Sequence, residues 1–180
     1  MNIMRISEMS QDDTVLPAVW QMRRKRGIRT RKINNYKAIL NIDGSRMKHG
    51  QHSDQTYSPV ASWNSIPTLL IMSAFHDWYT RKIDYVLVFP QDLVKREIYM
   101  QIPNGFKINE GRTSHYVLKL HRNIYGQKQA GMVWNKYLTN ILVNKFDFSK
   151  ATVDKCVLYR INGIYVLYND YYILSGPDLK

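Results

Sequence analysis

The sequence predicts an α+β domain in which an antiparallel sheet is backed by two main helices. Three observations lead to this prediction: apolar residues alternate over residues 164–174, two stretches carry apolar residues at helical spacing, and several short strand-like runs lie around them. The predicted order is strand, helix, strand pairs, helix and two hairpins, and the sequence shows no internal repeat. We expect the open side of the sheet to carry two acids, Asp84 and Asp170.

Composition favours a nucleic-acid partner. The 180 residues carry a formal charge of +12, from 26 Lys and Arg against 14 Asp and Glu, together with 13 Tyr and 4 Trp. Cations interleaved with aromatic side chains suit a partner that has phosphates and stackable bases, and a generally basic protein is the alternative. The hydrophobic content of 44% is enough for a core. We expect residues 1–14 to be loose, residues 15–177 to form one domain, and residues 178–180 to be the C-terminal end.

Cysteine and histidine usage argues against a disulfide framework or a zinc site. Cys156 is the only cysteine, which favours an intracellular protein, cytoplasmic or nuclear. His49 and His52 have an HxxH spacing without further Cys or His partners nearby, so we favour a solvated loop. The N-terminus lacks an apolar run of signal-peptide length, and no stretch approaches membrane-spanning length. We therefore expect a soluble protein with no membrane partner.

The first third of the chain predicts a basic hairpin over residues 22–40. Residues 15–22 are a candidate first strand, and residues 36–42 are apolar. A cluster of cations surrounds Gly27 and comprises Arg23, Arg24, Lys25, Arg26, Arg29, Arg31 and Lys32. These cations repel one another unless a polyanion lies against them, so they are candidate nucleic-acid contacts. A solvated basic loop is the alternative interpretation.

Two helices follow from apolar spacing. After a loop over residues 43–55, we expect Ser65 to cap the first helix, with Pro67 in its first turn. Its predicted core stripe is Ile66, Leu69, Leu70, Ser73, Ala74 and Trp78. The second helix is predicted over residues 129–146. Its buried side is expected to contain Ala130, Val133, Trp134, Tyr137, Leu138, Ile141 and Leu142.

The remaining segments predict strands and turns. Strand-like runs cover residues 82–89, 97–101, 116–120, 156–160 and 164–168. Turns are expected at residues 103–105 and at Asn162-Gly163, the second of which favours a two-residue hairpin.

Asp84 and Asp170 are candidate cation ligands. Asp84 lies inside the apolar run that Pro90 closes, and an unpaired charge buried there is costly. It must therefore lie at the sheet surface, be paired, or hold a cation. Asp170 follows Asn169 at the tip of the hairpin predicted over residues 164–174, where the neighbouring strands fix its direction. An Asx turn, in which Asp170 bonds its own backbone, is the alternative.

Several stretches in series resemble the motifs of the copia-type retrotransposon reverse transcriptase domain. They are TYSPVASW, KIDYVLVFPQ followed by EIYMQIPNGF, LHRNIYGQKQAGMVW, and VLYNDYYILSG, in the family's order and at similar separations. The resemblance covers residues 18–177. It implies a right-hand polymerase with fingers and a partial palm that acts as an RNA-directed DNA polymerase. It also implies two Mg²⁺ ions, an RNA or DNA template-primer, deoxynucleoside triphosphates, and the remainder of a retrotransposon polyprotein as partners.

The resemblance also implies roles for residues. Asp84 and Asp170 match catalytic acids that hold the two Mg²⁺ ions, because phosphoryl transfer needs cations held by carboxylates. Phe89 matches the aromatic residue under the sugar of the incoming nucleotide, and ordinary core packing is the alternative. The other matched nucleotide-binding positions are Lys37, Tyr125, Gly126, Lys128 and Gln129.

The chain departs from the family pattern. Residues 168–171 read Tyr-Asn-Asp-Tyr where the family has Tyr-x-Asp-Asp, so Tyr171 replaces the second acid. Met132 and Ile39 stand where the family usually has arginine, and Asp43 replaces a basic residue. The resemblance implies a thumb and a ribonuclease H domain, which we expect this copy to lack. We therefore expect a truncated, degenerate copy with impaired two-metal nucleotidyl transfer, and the alternative is a non-catalytic remnant that binds nucleic acid.

Overall fold

The computed structural model describes residues 1–86, 88–89, 93–108, 111–161, 163–168 and 171–177. The chain divides into two compact units, one made of Met1–Thr56 with Phe89–Gly131 and one made of Tyr57–Val88 with Met132–Lys180. Two α-helices and mainly antiparallel strands are described, so the mixed class predicted from the sequence is confirmed. The strands form a four-stranded, a five-stranded and a two-stranded sheet, whereas one sheet was expected.

The first unit contains a four-stranded sheet in the order β1-β7-β6-β2. Its strands are β1 (Asn2–Arg5), β2 (Val15–Leu16), β6 (Tyr99–Gln101) and β7 (Tyr116–Lys119). The buried core beside it comprises Leu16, Ile42, Met47, Ile98, Met100, Leu118, Leu120 and Ile124. The N-terminal segment, expected to be loose, thus begins with a strand that pairs with β7. Its sequence did not reveal this because β1 is largely exposed and lacks an apolar alternation.

The first unit also contains the predicted basic hairpin. Strands β3 (Ala18–Arg26) and β4 (Ile33–Ile42) pair antiparallel, with a register irregularity between Lys25 and Arg26. The prediction of a hairpin is confirmed, and its strands extend beyond residues 22–40 toward the core residue Ile42.

The turn predicted at residues 103–105 is also present, since the Phe106 N–H donates to the Pro103 carbonyl at 3.1 Å.

The second unit contains a five-stranded antiparallel sheet in the order β5-β11-β10-β9-β8. Its strands are β5 (Tyr79–Ile83), β8 (Ser149–Lys150), β9 (Val157–Arg160), β10 (Gly163–Tyr168) and β11 (Tyr171–Gly176). Helix α2 spans Ala130–Phe146 and largely confirms the predicted stripe. Five of those side chains are buried: Ala130, Val133, Trp134, Leu138 and Leu142. Both predicted hairpins of this unit are confirmed by the pairing of β10 with β9 and β11, while Asn162 lies outside the described residues.

Helix α1 (Ser65–Phe75) corrects two predictions. Ser65 is its first residue and not its cap, and the Ser65 hydroxyl donates to the Asp154 carboxylate at 2.5 Å. Only Leu69 and Ser73 of the helix are buried, whereas Leu70 and Ala74 of the predicted stripe are exposed. The predicted helical periodicity of apolar residues is present in α1, but the second unit covers a narrower face of this helix than the apolar stripe.

Trp78, expected on the same stripe, lies beyond the end of α1. Asp77 adopts a left-handed backbone with φ of 53°, which ends the helix in the manner of a C-terminal cap. The Trp78 N–H accordingly donates to the Ser73 carbonyl at 2.8 Å.

The strand predicted over residues 82–89 is shifted toward the N-terminus. β5 pairs with β11 from Tyr79 opposite Gly176 to Ile83 opposite Tyr172. Asp84 therefore follows the strand and does not lie inside it. Among the described residues, no helix is long and apolar enough to cross a membrane.

Candidate active site

Asp84 lies at the exposed end of the ladder between β5 and β11. Its side chain is exposed, while that of Tyr85 is half-buried. Ile83 stands opposite Tyr172 in the last described pair of this ladder, and Asp84 follows directly after it. Continuing the antiparallel register by one residue would bring backbone positions 84 and 171 opposite each other.

The other predicted metal ligand, Asp170, lies outside the described residues. Tyr168 of β10 is opposite Tyr171 of β11, which leaves residues 169 and 170 between the two strands. The sequence position of Asp170 is therefore at the end of a hairpin whose first and last paired residues are described. Its role as a cation ligand stays a prediction.

The donor chemistry of Asp84 suits Mg²⁺. Carboxylate oxygens are the ligands that Mg²⁺ prefers, and an exposed carboxylate reaches an ion that keeps several of its waters. In the part of the chain that the structure describes, no three His, Cys, Asp or Glu side chains come together as a cation site. Asp84 therefore has the kind of donor that Mg²⁺ prefers, and its role as a metal ligand stays a prediction.

An aromatic cluster contains Tyr85, the residue that follows Asp84. The Tyr85 ring meets the rings of Trp134 and Tyr172 edge-on, with centroids 5.4 and 5.1 Å away. The Tyr85 hydroxyl lies 3.2 Å from the Tyr165 hydroxyl, and the Trp134 indole N–H donates to the Tyr172 hydroxyl. Burial raises the pKa of Tyr165 well above its ordinary value, and the hydrogen bond with Tyr85 adds to this effect. Sequence reasoning missed this cluster, although tyrosines in the strands flanking both acids were a visible signal.

Two predicted nucleotide-binding residues meet in the first unit. The Phe89 and Tyr125 rings pack edge-on with centroids 4.8 Å apart. Tyr125 is tied to the end of the basic hairpin, because its carbonyl accepts from the Ile42 N–H at 2.9 Å. Phe89 is half-buried, so both interpretations, a contact with sugar and packing against Tyr125, remain compatible with its surroundings.

Gly126 has a structural requirement of its own. Its φ is +90°, and a Cβ there would lie 2.1 Å from the Ile42 carbonyl oxygen. Gly44 approaches equally closely from the other side, since its Cβ would lie 1.9 Å from the Gly126 carbonyl oxygen. The segment around Gly126 and the end of β4 are therefore joined backbone to backbone.

The remaining predicted nucleotide-binding residues differ in their surroundings. The Lys128 ammonium donates to the Met47 carbonyl at 2.9 Å, so it stabilises the first unit. Gln129 is half-buried, and its side-chain oxygen finds no hydrogen-bond donor among the described residues. Lys37 is exposed on β4, directly opposite Arg23 of β3.

The two faces of the basic hairpin carry different side chains. Arg23, Lys25 and Lys37 fall on one face by strand alternation. The other face carries Arg24 opposite the exposed Tyr36. Trp20 lies on the same face, and its indole N–H donates to the Asn104 carbonyl at 3.0 Å. The remaining predicted cations are exposed at or near the tip: Arg26, Arg29, Arg31 and Lys32. Like charges directly opposite each other, as in the pair Arg23 and Lys37, destabilise a hairpin unless an anion is present.

The loop over residues 43–55 is more ordered than expected. His52 is buried, its Nδ1 accepts from the Lys48 N–H at 3.0 Å, and burial lowers its pKa. The prediction of a solvated loop is therefore wrong for His52. Asp43, which replaces a basic family residue, accepts hydrogen bonds from the Ser45 backbone N–H and hydroxyl, and these bonds hold the pKa of Asp43 below its ordinary value.

Residues 1–180 all match the protein family described as reverse transcriptase (RNA-dependent DNA polymerase). The chain is 31% identical over 152 residues to a retrovirus-related Pol polyprotein from transposon TNT 1-94 of Nicotiana tabacum, a match covering 82% of this chain and 11% of the relative. It is 34% identical over 149 residues to each of the Pol polyproteins from transposons RE1 and RE2 of Arabidopsis thaliana, which covers 81% of this chain and 10% of each relative. The chain thus spans about a tenth of the relatives' length. No solved structure matches it. The resemblance inferred from the motifs is confirmed, and the chain belongs to the reverse transcriptase (RNA-dependent DNA polymerase) family.

Proposed function

We propose that this chain provides the fingers and part of the palm of an RNA-directed DNA polymerase from a copia-type retrotransposon. The observation that carries the proposal is the pair of Ile83 with Tyr172, because Asp84 and position 171 are the next residues along the two strands. If the register continues by one residue, two positions that the family fills with acids are neighbours at one end of a sheet, although 86 residues separate them in sequence. The relatives are Pol polyproteins, which supports a longer polyprotein as the natural setting of this segment.

Asp84 and Asp170 are the carboxylates that hold the two Mg²⁺ ions in this proposal. When bound, such ions stabilise the attacking and leaving oxygens of a phosphoryl transfer. In this proposal, the chain itself holds the two carboxylates at the ends of paired strands. The pairing of β5 with β11 and of β10 with β11 supports this role.

The nucleotide-binding residues belong to the first unit. Phe89 is the residue proposed to contact the sugar of a deoxynucleoside triphosphate, with Tyr125 packed edge-on against it. Lys37 supplies a phosphate contact from β4, and Gln129 offers an amide. For Gly126 and Lys128 the contacts support a different role, which is to fix the backbone that carries Tyr125.

The basic hairpin is the proposed contact for an RNA or DNA template-primer. Its exposed cations, which include Arg23, Arg24 and Lys25, supply the electrostatic attraction that phosphate backbones require. This surface also supports the second candidate function, a non-catalytic segment that binds nucleic acid. The two functions differ in whether the chain contributes to phosphoryl transfer.

Tyr171 impairs that transfer in this proposal. A phenol has an ordinary pKa near 10 and is neutral at pH 7, so it does not supply the charge of a carboxylate. By analogy with the loss of one preorganised charge-stabilising group, we expect a rate reduction of at least ~10²-fold.

A primer-extension assay tests the proposal. Residues 1–180 replace the matching segment of the TNT 1-94 polyprotein, and extension of an RNA-templated primer with Mg²⁺ is compared with and without Tyr171→Asp. We expect Tyr171→Asp to raise extension by at least ~10²-fold and a further Asp84→Asn to abolish the gain. Equal extension by the first two proteins contradicts the requirement for a third carboxylate. Salt-dependent nucleic-acid binding without any extension favours the non-catalytic function.

A further inference from the structure

We propose that Tyr85 and Tyr165 are positioning residues that fix where the Asp84 carboxylate lies beside the hairpin of β10 and β11. The proposal deepens the function given above and rests on the metal-holding role of Asp84. It assigns a task to the two hydroxyls that join Tyr85, the residue after Asp84, to Tyr165 of β10. Both residues belong to the second unit.

Asp84 needs an anchor outside the sheet ladder. The described pairing between β5 and β11 ends at Ile83 opposite Tyr172. The paired residues of β5 therefore end one residue before Asp84, and Tyr85, the residue after Asp84, has a side chain that can hold this segment in place.

Tyr85 is held from three directions. Its hydroxyl reaches Tyr165 of β10, one ring edge meets Tyr172 of β11, and another contact is with Trp134 of α2. Tyr172 is fixed in turn, because its hydroxyl accepts from the Trp134 indole N–H. The segment that carries Asp84 is thereby attached to both strands of the hairpin that leads to position 170.

The hydrogen bond between the two hydroxyls restricts the orientation of the Tyr85 side chain more than ring packing alone does. Tyr165 is only 2% exposed. If Tyr85 moves away, the buried Tyr165 hydroxyl loses this hydrogen bond, which costs free energy. Ring packing tolerates small displacements, whereas a hydrogen bond between the buried Tyr165 and the half-buried Tyr85 restricts a distance and an angle. Residues that orient a ligating carboxylate typically change metal affinity by about 10–100-fold when they are replaced.

The alternative is that the cluster is ordinary core. In that case the loss of one hydroxyl lowers thermal stability but leaves metal affinity unchanged in protein that is still folded. Metal affinity measured well below the unfolding transition therefore separates the two interpretations.

The experiment uses the whole chain and Mn²⁺ alone as the probe for the Mg²⁺ site. Free Mn²⁺ is followed by electron paramagnetic resonance for the unsubstituted chain and for Tyr85→Phe, Tyr165→Phe and the double variant, with folding checked by circular dichroism. Tyr159→Phe is the matched control, because Tyr159 lies on β9 of the same sheet and is 49% exposed. Asp84→Asn reports on the metal-holding role itself.

We expect Tyr85→Phe and Tyr165→Phe each to weaken Mn²⁺ binding by ~10-fold. The double variant should be no weaker than either single variant, since both remove the same bond. Tyr159→Phe should bind as the unsubstituted chain does, and Asp84→Asn should lose binding. If Tyr85→Phe does not fold, Tyr165→Phe removes the same bond from the other side and decides the result.

Two outcomes overturn the proposal in distinguishable ways. Unchanged Mn²⁺ binding in both hydroxyl variants, with binding lost in Asp84→Asn, shows that the pair is core only and leaves the metal-holding role intact. Unchanged binding in Asp84→Asn removes the metal-holding role and this proposal together.

Discussion

Ile83 stands opposite Tyr172 in the last described pair of the ladder between β5 and β11, and Asp84 follows directly after it. If the register continues by one residue, a carboxylate introduced at position 171 lies opposite Asp84, and like charges directly opposite each other destabilise a strand pair. We therefore expect Tyr171→Asp to have a lower free energy of unfolding than Tyr171→Asn in a chelator-containing buffer. Added Mg²⁺ should raise the melting temperature of Tyr171→Asp more than that of Tyr171→Asn, because the ion binds the pair of acids. Identical Mg²⁺ responses in thermal melts would show that the two positions do not share an ion.

Gly126 should tolerate a side chain far less well than Gly105. Both have a positive φ, of +90° and +87°, but an added Cβ lies 2.1 Å from the Ile42 carbonyl oxygen at Gly126 and meets nothing within 4 Å at Gly105. Gly105→Ala reports the backbone strain alone and should cost about 1–2 kcal/mol. Gly126→Ala adds a clash with backbone and should cost several kcal/mol more in urea titrations. Equal costs for the two variants would show that the backbone near Ile42 moves away freely.

Gln127 should be a site at which an apolar residue stabilises the first unit. It is 6% exposed, and its side-chain nitrogen finds no hydrogen-bond acceptor among the described residues. Its oxygen accepts only a long bond, 3.4 Å, from the Ile124 N–H. Gln127→Leu removes a buried unpaired donor, so we expect a gain of about 1–2 kcal/mol in the free energy of unfolding. Gln127→Ala is the control, since it removes the same amide but leaves a cavity; a loss of stability in Gln127→Leu would contradict the prediction.

Asp154 should make stability depend on acidic pH. Its carboxylate accepts from the Ser65 hydroxyl and from the Ser62 and Cys156 N–H groups. Burial tends to raise the pKa of Asp154, but these hydrogen bonds outweigh burial and lower it below the ordinary value of 3.8. A depressed folded-state pKa means that the contribution is fully present above the unfolded-state pKa and is lost as pH falls through the folded-state pKa.

The window for this effect is therefore below about pH 4. At neutral pH, Asp154→Asn should be less stable than the unsubstituted chain by about 1–2 kcal/mol, a value reduced for the partial exposure of the carboxylate. The difference should shrink as the pH is lowered from 5 to 3 in urea titrations. A difference that stays constant over this range would mean that the charge on Asp154 is unimportant.

The basic hairpin should bind nucleic acid with a strong dependence on salt. If its cations neutralise about five phosphates, the slope of log affinity against log salt should be about −4. Arg23→Gln with Lys37→Gln removes the directly opposite cations and should reduce the magnitude of the slope by about 2. Lys145→Gln with Lys155→Gln removes the same charge from exposed positions of the second unit. Filter binding in which both pairs change the slope equally would show that only net charge matters.

The sequence by itself determined the family, the helix α2 and the hairpins. These features rest on local patterns, because motif order, helical spacing and strand alternation are written within a few residues of each other. The buried side of α2 is an example, since its predicted residues Trp134 and Leu138 are both in the core. Family membership also carried the expected roles of Asp84 and Asp170, which remain proposals.

Only the tertiary structure decided which distant residues meet. Ile83 and Tyr172, or Tyr85 and Tyr165, are joined by cross-strand register, and register depends on the whole sheet and not on either segment alone. The same holds for α1, whose apolar stripe is wider than the surface available to cover it, so that Leu70 is exposed. The end of β5 before Asp84 was hidden from the sequence for a related reason: the apolar run continues past Ile83, whereas the pairing with β11 is a property of the whole sheet.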